Sequence, residues 1–268
     1  MNKFIVILFC LAFTLLAFGA DGVSSKQLCA EADQEFRQGT QLIAGDAEGA
    51  QAHFEAARIR YEQALMSPES EVSLGVVYYN LGNTYARLND LANAIVNYRR
   101  ALMYTPNDAD LRANLQYARS LRADHFPEAE QSRVLKTLFF WHYDLAFQSR
   151  LYLALAFGVL FWLAAIVMLK WRPLWLKCTL GVLALCYIAG SVSIACSMYE
   201  SAHNTFAVVK SAEVMPRQGD SDGYSPALDA PLHAATEVRI LTTRGAWCQI
   251  ELPNGLTGWL PAEALIII

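Results

Sequence analysis

Residues 151–169 carry no charged side chain, and neither do residues 178–198. As helices rising 1.5 Å per residue, each covers about 30 Å, the thickness of a bilayer's hydrocarbon core. Between them lies KWRPLWLK, whose only charges are Lys170, Arg172 and Lys177. Pro173 stops a helix there. A short loop rich in Lys and Arg stays in the cytoplasm, so both flanking regions lie on the opposite face. Trp162, Trp171, Trp175 and Tyr199 fall near the interfaces, Trp162 deeper than the rest. The expected layout is a first span over 150–170, a cytoplasmic loop over 171–176 and a second span over 177–198. The 54% hydrophobic content and mean hydropathy of +0.23 come mainly from these runs and one at the N-terminus. There Lys3 precedes an apolar stretch over 4–18, and Ala17, Phe18 and Gly19 form a small-x-small site. This is a secretory signal peptide over 1–19, cleaved or kept as an anchor. Phe9 before Cys10 is too large for a lipoprotein signal. The exported N-terminus and the basic loop demand the same orientation.

The stretch YYNLGNTYARLNDLANAIVNYRRALMYTP has its own periodicity. In a 34-residue frame from Gly75, Tyr78, Leu81, Gly82, Tyr85, Ala94, Tyr98, Ala101 and Pro106 take the signature positions of a tetratricopeptide repeat. Gly82 and Ala94 are small where two antiparallel helices cross. Tyr78, Leu81 and Tyr85 share a face at i, i+3, i+7 spacing. Asn89 and Asp90 suit the turn between the helices, and Pro106 ends the second. One repeat cannot bury its own faces, so neighbours are expected. Upstream, Ala57, Tyr61 and Ala64 echo Ala94, Tyr98 and Ala101, and Pro68 closes that helix. Its partner is expected over 30–43 with Phe36 inward, joined by a long loop, AGDAEGAQAH. Downstream, Leu111, Leu115 and Ala118 mark a capping helix. The helical domain therefore spans 26–123, about two repeats and a cap, the first repeat degenerate. Such stacks hold extended peptides or helices in a concave groove. Here the groove would carry Tyr79, Asn80, Asn83, Arg87, Asn114 and Tyr117. Asn amides suit a peptide backbone because each offers a donor and an acceptor. A merely solvated polar face is the alternative.

Residues 124–149 mix Leu138, Phe139, Trp141, Tyr143, Leu145 and Phe147 with Lys136, His142 and Asp144, and Arg150 follows directly. The mixture suits an amphipathic segment lying in the interface. After Glu200 the composition turns to β-branched alternation: TFAVVKSAEVMPR, TEVRIL, WCQIEL and GLTGWLP, separated by Gly-rich turns. Five short strands over 205–268 predict a small all-β barrel, with Asn254 and Gly255 as a hairpin turn. Tyr224, Trp247 and Trp259 are its candidate groove aromatics, with Trp259 as a core residue the alternative.

No reaction centre is legible. The five His residues are scattered, no metal-ligand spacing occurs, and there is neither a nucleophile elbow nor a phosphate loop. No catalytic, cofactor-binding or metal-binding residue is assigned, and a non-enzyme is expected. The net charge of −4 provides no nucleic-acid footprint. The six Cys form no C-x-x-C. Cys178, Cys186 and Cys196 belong to the second span as packing residues. Cys29 and Cys248 fall outside the membrane, bridged or free. A thiol redox enzyme built on Cys29 lacks a resolving cysteine and an activating base.

Gly245, Ala246 and Trp247, with the run from Asn254 to Trp259, resemble a bacterial SH3 domain, a fold whose members bind short peptides or cell-wall stems. Taken in order, signal peptide, TPR repeats, two spans and SH3-like barrel resemble the BatE-type aerotolerance proteins. The resemblance implies a multidomain membrane protein: an α-helical TPR solenoid, a two-helix transmembrane hairpin and a small SH3-like barrel. It implies a non-catalytic adaptor in a bacterial inner membrane, both soluble domains periplasmic. Membrane proteins with von Willebrand A domains, linked to a MoxR-type AAA+ ATPase, are the implied partners, and tolerance of oxidative or envelope stress the implied role. A peptidoglycan-binding protein acting through the SH3-like domain is the alternative.

Overall fold

The computed structural model describes residues 24–67, 72–127, 137–145 and 147–268, with backbone alone at 201–203. The signal-peptide segment and Pro68 lie outside the described residues. The chain divides into two compact units that meet after Leu88.

The first unit contains α1 (Ser25–Leu42), α2 (Ala47–Met66) and α3 (Leu74–Arg87). Ser24 caps α1 by accepting from the Lys26 N–H at 3.2 Å. Asp46 caps α2 by accepting from the Gly49 N–H at 2.9 Å. Each cap satisfies a backbone donor that the first helical turn leaves open. The cap at Asp46 also corrects a sequence expectation. Most of AGDAEGAQAH is helix rather than loop, since α2 begins at Ala47. The first hairpin's extra length lies in its arms, of 18 and 20 residues, against 14 for α3. Ala32, Ala57, Tyr61, Val77 and Leu81 form the core, with Cys29, Phe36 and Tyr85 packed around it. Small side chains allow close approach. A Cβ on Gly39 would sit 2.9 Å from the Phe54 ring and 3.0 Å from the Ala50 carbonyl. Outside this core, Arg58 reaches Glu55 and Glu62, while Glu35 meets both His53 and Arg60.

In the second unit, Asn89 adopts φ +65°, a left-handed turn that asparagine tolerates. Asp90 then caps α4 (Leu91–Tyr104), and Asp108 caps α5 (Ala109–Ser120). Ala94, Ile95, Tyr98 and Ala101 are buried on α4, as are Leu111, Leu115 and Ala118 on α5. A four-residue α6 (Phe140–Tyr143) precedes α7 (Phe147–Lys170) and α8 (Leu174–His203). Phe147–Lys170 and Leu174–Glu200 are long and apolar enough to cross a membrane. Only 11% and 6% of their most apolar windows are buried, unlike the core helix of a water-soluble domain. Gly190 lets α8 approach α7 closely, since a Cβ there would lie 3.1 Å from that of Ala154. Arg150, one turn into α7, is buried and donates to Ser193 Oγ and His142 Nδ1, each at 2.8 Å. Facing elements thus supply acceptors to one arm of the buried guanidinium, while its Nε is buried without a hydrogen-bond partner among the described residues.

The C-terminal region is antiparallel β. Strands β1 (Thr205–Val209), β4 (Glu237–Arg244), β5 (Trp247–Glu251), β6 (Thr257–Pro261) and β7 (Leu265–Ile267) form one sheet in the order β6-β5-β4-β1-β7. Strands β2 (Glu213–Val214) and β3 (Leu232–His233) form a second ladder. Gly255, at φ +86°, makes the β5–β6 turn expected from the sequence. A bulge between Ile240 and Thr242 bends β4. The core comprises Ala207, Val209, Leu232, Val238, Cys248, Ile250, Leu252, Leu260 and Leu265. Beyond β6, Trp259 also bridges to Arg217, which bridges in turn to Pro226. Among the described residues these ladders show an antiparallel sheet but no closed barrel.

This sheet contacts α4, α5 and the segment that follows them. Glu237, first residue of β4, is 8% exposed. Arg119 grips its carboxylate with Nε at 2.6 Å and Nη2 at 2.7 Å. Arg99 adds a contact at 2.9 Å and Arg122 one at 3.1 Å. Asp124 accepts from the His233 N–H at 2.7 Å, from Thr236 Oγ1 at 2.6 Å, and pairs with His233 Nδ1 at 2.8 Å. Phe126 packs against the sheet's core.

Candidate peptide-binding groove

In the first unit, α1 and α3 line an open cleft of about 100 Å³ formed by Asp33, Phe36, Arg37, Asn80 and Asn83. On α1, residues 33, 36 and 37 share one face by i, i+3, i+4 spacing, and on α3 residues 80 and 83 do so by i, i+3. Asp33 organises the floor. Its Oδ1 accepts from the Tyr61 hydroxyl and from Asn80 Nδ2 at 3.3 Å. Burial, then the hydrogen bond to Asp33 and its charge, push the Tyr61 phenol well above its ordinary pKa, so the hydroxyl stays a donor. Thr84, buried on the same helix, satisfies its hydroxyl by donating to the Asn80 carbonyl at 2.8 Å. The cleft thus presents amides, a carboxylate, an exposed guanidinium and part of a phenyl ring within one small volume.

Of the sequence-predicted groove residues, Asn80 and Asn83 line this cleft. Tyr79 and exposed Arg87 lie on the same helix but are not among its lining residues. Asn114 and Tyr117 belong to α5 in the second unit, Asn114 half-buried and Tyr117 67% exposed. Asp33 and Arg37 were missed. Their signal was available: they stand on α1 beside Phe36, and the rule that selected the first helix of one repeat applies equally to the first helix of its neighbour.

In the β domain the three candidate aromatics differ in setting. Trp259 is 7% exposed and lies beneath the Arg244 guanidinium, 5.2 Å from the ring centroid. Its backbone exchanges hydrogen bonds with Arg217. Gly258 is needed beside it, because a Cβ there would come within 2.8 Å of Pro216. Trp247 is half-buried, and Tyr224 is exposed with its ring against Gly219.

Cys29 is not an activated thiol. Burial, then the Asp33 charge, push the Cys29 thiol up, opposite to the shift a reactive thiol needs. Cys248 is buried in the sheet core, 3.7 Å from Thr243 Oγ1. Cys29, Cys178, Cys186, Cys196 and Cys248 are all free.

The tetratricopeptide repeat family model matches residues 76–108, taking in most of α3, all of α4 and the cap of α5. That repeat is a protein–protein interaction module of a generally non-catalytic family. Comparison with curated proteins found no match.

Proposed function

We propose that this chain is a non-catalytic scaffold, held in a bacterial inner membrane by the α7–α8 hairpin and presenting its helical groove and β domain in the periplasm. The cleft between α1 and α3 is the observation that carries this reading. Asn80 and Asn83 match the alternating donors and acceptors of an extended peptide backbone. Arg37 suits a partner carboxylate, and Phe36 an apolar side chain. The basic tip between the spans favours a cytoplasmic loop. The contacts of Glu237 and Asp124 with α4, α5 and the following segment support placing the regions that flank the hairpin on one side of the membrane. The groove's partners are membrane proteins with von Willebrand A domains in a Bat-type complex linked to a MoxR-type ATPase and to oxidative or envelope stress.

The test is recovery of membrane partners from cells after mild detergent extraction. Full-length protein carrying Asn80→Ala and Asn83→Ala should recover at least tenfold less partner, with its helical content unchanged. Undiminished recovery of every partner would remove the groove from the account.

A further inference from the structure

The β domain meets α4 and α5 chiefly through charge. Glu237 takes hydrogen bonds from Arg99 on α4, from Arg119 at the end of α5 and from Arg122 just beyond it. Arg99 also stacks over Phe206 of β1, 4.6 Å from its centroid. Arg100 donates to the Ile267 carbonyl of β7 at 2.7 Å. These contacts fall on β4, β1 and β7, three neighbours at one end of the sheet. Asp124 ties the segment after α5 to both His233 and Thr236. The covalent connection between these partners runs through both membrane-spanning helices, so the docking closes the hairpin into a ring. A carboxylate this buried is tolerated only with such complete compensation, and removing one side leaves stranded charge.

We propose that Glu237 and Asp124 form an electrostatic latch that holds the β domain on α4 and α5, so that it serves as the terminal cap of the helical pair and not as a freely swinging module. The latch occupies the β4–β1–β7 end of the sheet. A partner of the β domain is left the β5–β6 end, where Trp247 and the Arg244-covered Trp259 stand. The contacts span 109 to 138 residues of sequence, so the latch also sets the separation of the hairpin's two outer ends.

Amide hydrogen exchange on the full chain in detergent micelles tests this, because a latch is reciprocal and a local defect is not. Glu237→Gln should raise exchange at least tenfold in α5, an element it does not belong to. Arg119→Gln should do the same in β1 and β4. Arg112→Gln, an exposed change on the same helix, should move neither. If Glu237→Gln unfolds the whole β domain, Arg119→Gln decides: deprotection of β4 upholds the latch, and unchanged β4 overturns it. Exchange that rises only within each mutated element also overturns it.

Discussion

Two carboxylates organise the two units in opposite ways. Asp33 is held by neutral donors, a phenol and an amide, at the floor of an open cleft. Glu237 is enclosed by three guanidiniums. A carboxylate gripped by neutral groups beside a cleft keeps accepting capacity for a newcomer. One saturated by cations in a buried setting has none to offer. The first arrangement suits recognition, the second attachment, although residue type alone would rank the two side chains as equivalents.

The sharpest way to break the comparison is to truncate both. Glu237→Ala strands three arginines and should cost about 3–5 kcal/mol. Asp33→Ala leaves a phenol and an amide unsatisfied and should cost about 1–3 kcal/mol. Denaturant titration of the full chain in micelles, followed by exchange in each unit, reads both. Equal losses would erase the distinction.

Arg37→Glu sharpens the recognition side. It should weaken partner capture about tenfold, near 1.4 kcal/mol, while exchange in α1–α3 stays unchanged. Capture that is insensitive to this charge would move the acidic part of the partner elsewhere.

Acid tests the attachment within the second unit directly. Burial alone would raise the pKa of Glu237, but the hydrogen bond and charge of Arg119, then Arg99 and Arg122, hold it below the usual range. For Asp124, burial is likewise overcome, by the His233 N–H, the Thr236 hydroxyl and the His233 ring. Depressed carboxylates add stability that is complete above their unfolded values, about 4.3 for Glu and 3.9 for Asp, and is lost as pH falls through the lower folded values. Exchange in α5 and β4, taken relative to the intrinsic amide rate at each pH, should therefore rise in that acid window. A flat profile in these elements between pH 5 and about 2 would contradict the latch.

The smallest effect expected is at Arg244→Ala. Losing an exposed guanidinium from the face of Trp259 should cost about 0.5–1 kcal/mol, read as faster exchange in β6. A larger loss would mean that Arg244 also holds β6 against the segment around Arg217.

The helices, the two long apolar helices among them, and the strands were legible because each rests on local chemistry. Gly82, Ala94 and Pro106 mark a helical pair by spacing, charge-free runs mark helices apolar enough to cross a membrane, and Asn254 with Gly255 marks a turn. The misreading of AGDAEGAQAH had a local cause as well. Asp46 takes the N-cap position, accepting from the Gly49 N–H, and the helix starts at Ala47 inside the stretch read as a loop. Of the cleft, Asn80 and Asn83 were found through the repeat frame. Asp33 and Arg37 were not, because α1 belongs to a degenerate repeat for which no frame had been set.

By itself, the order of residues determined which segments are helical, which are apolar enough to enter a bilayer and which alternate as strands, since these depend on neighbours a few positions apart. Whether a given acid becomes part of a receptive cleft or a closed clasp was decided only in three dimensions. Arg99 and Glu237 lie 138 residues apart, and no local periodicity records which distant cations a folded chain brings to a carboxylate.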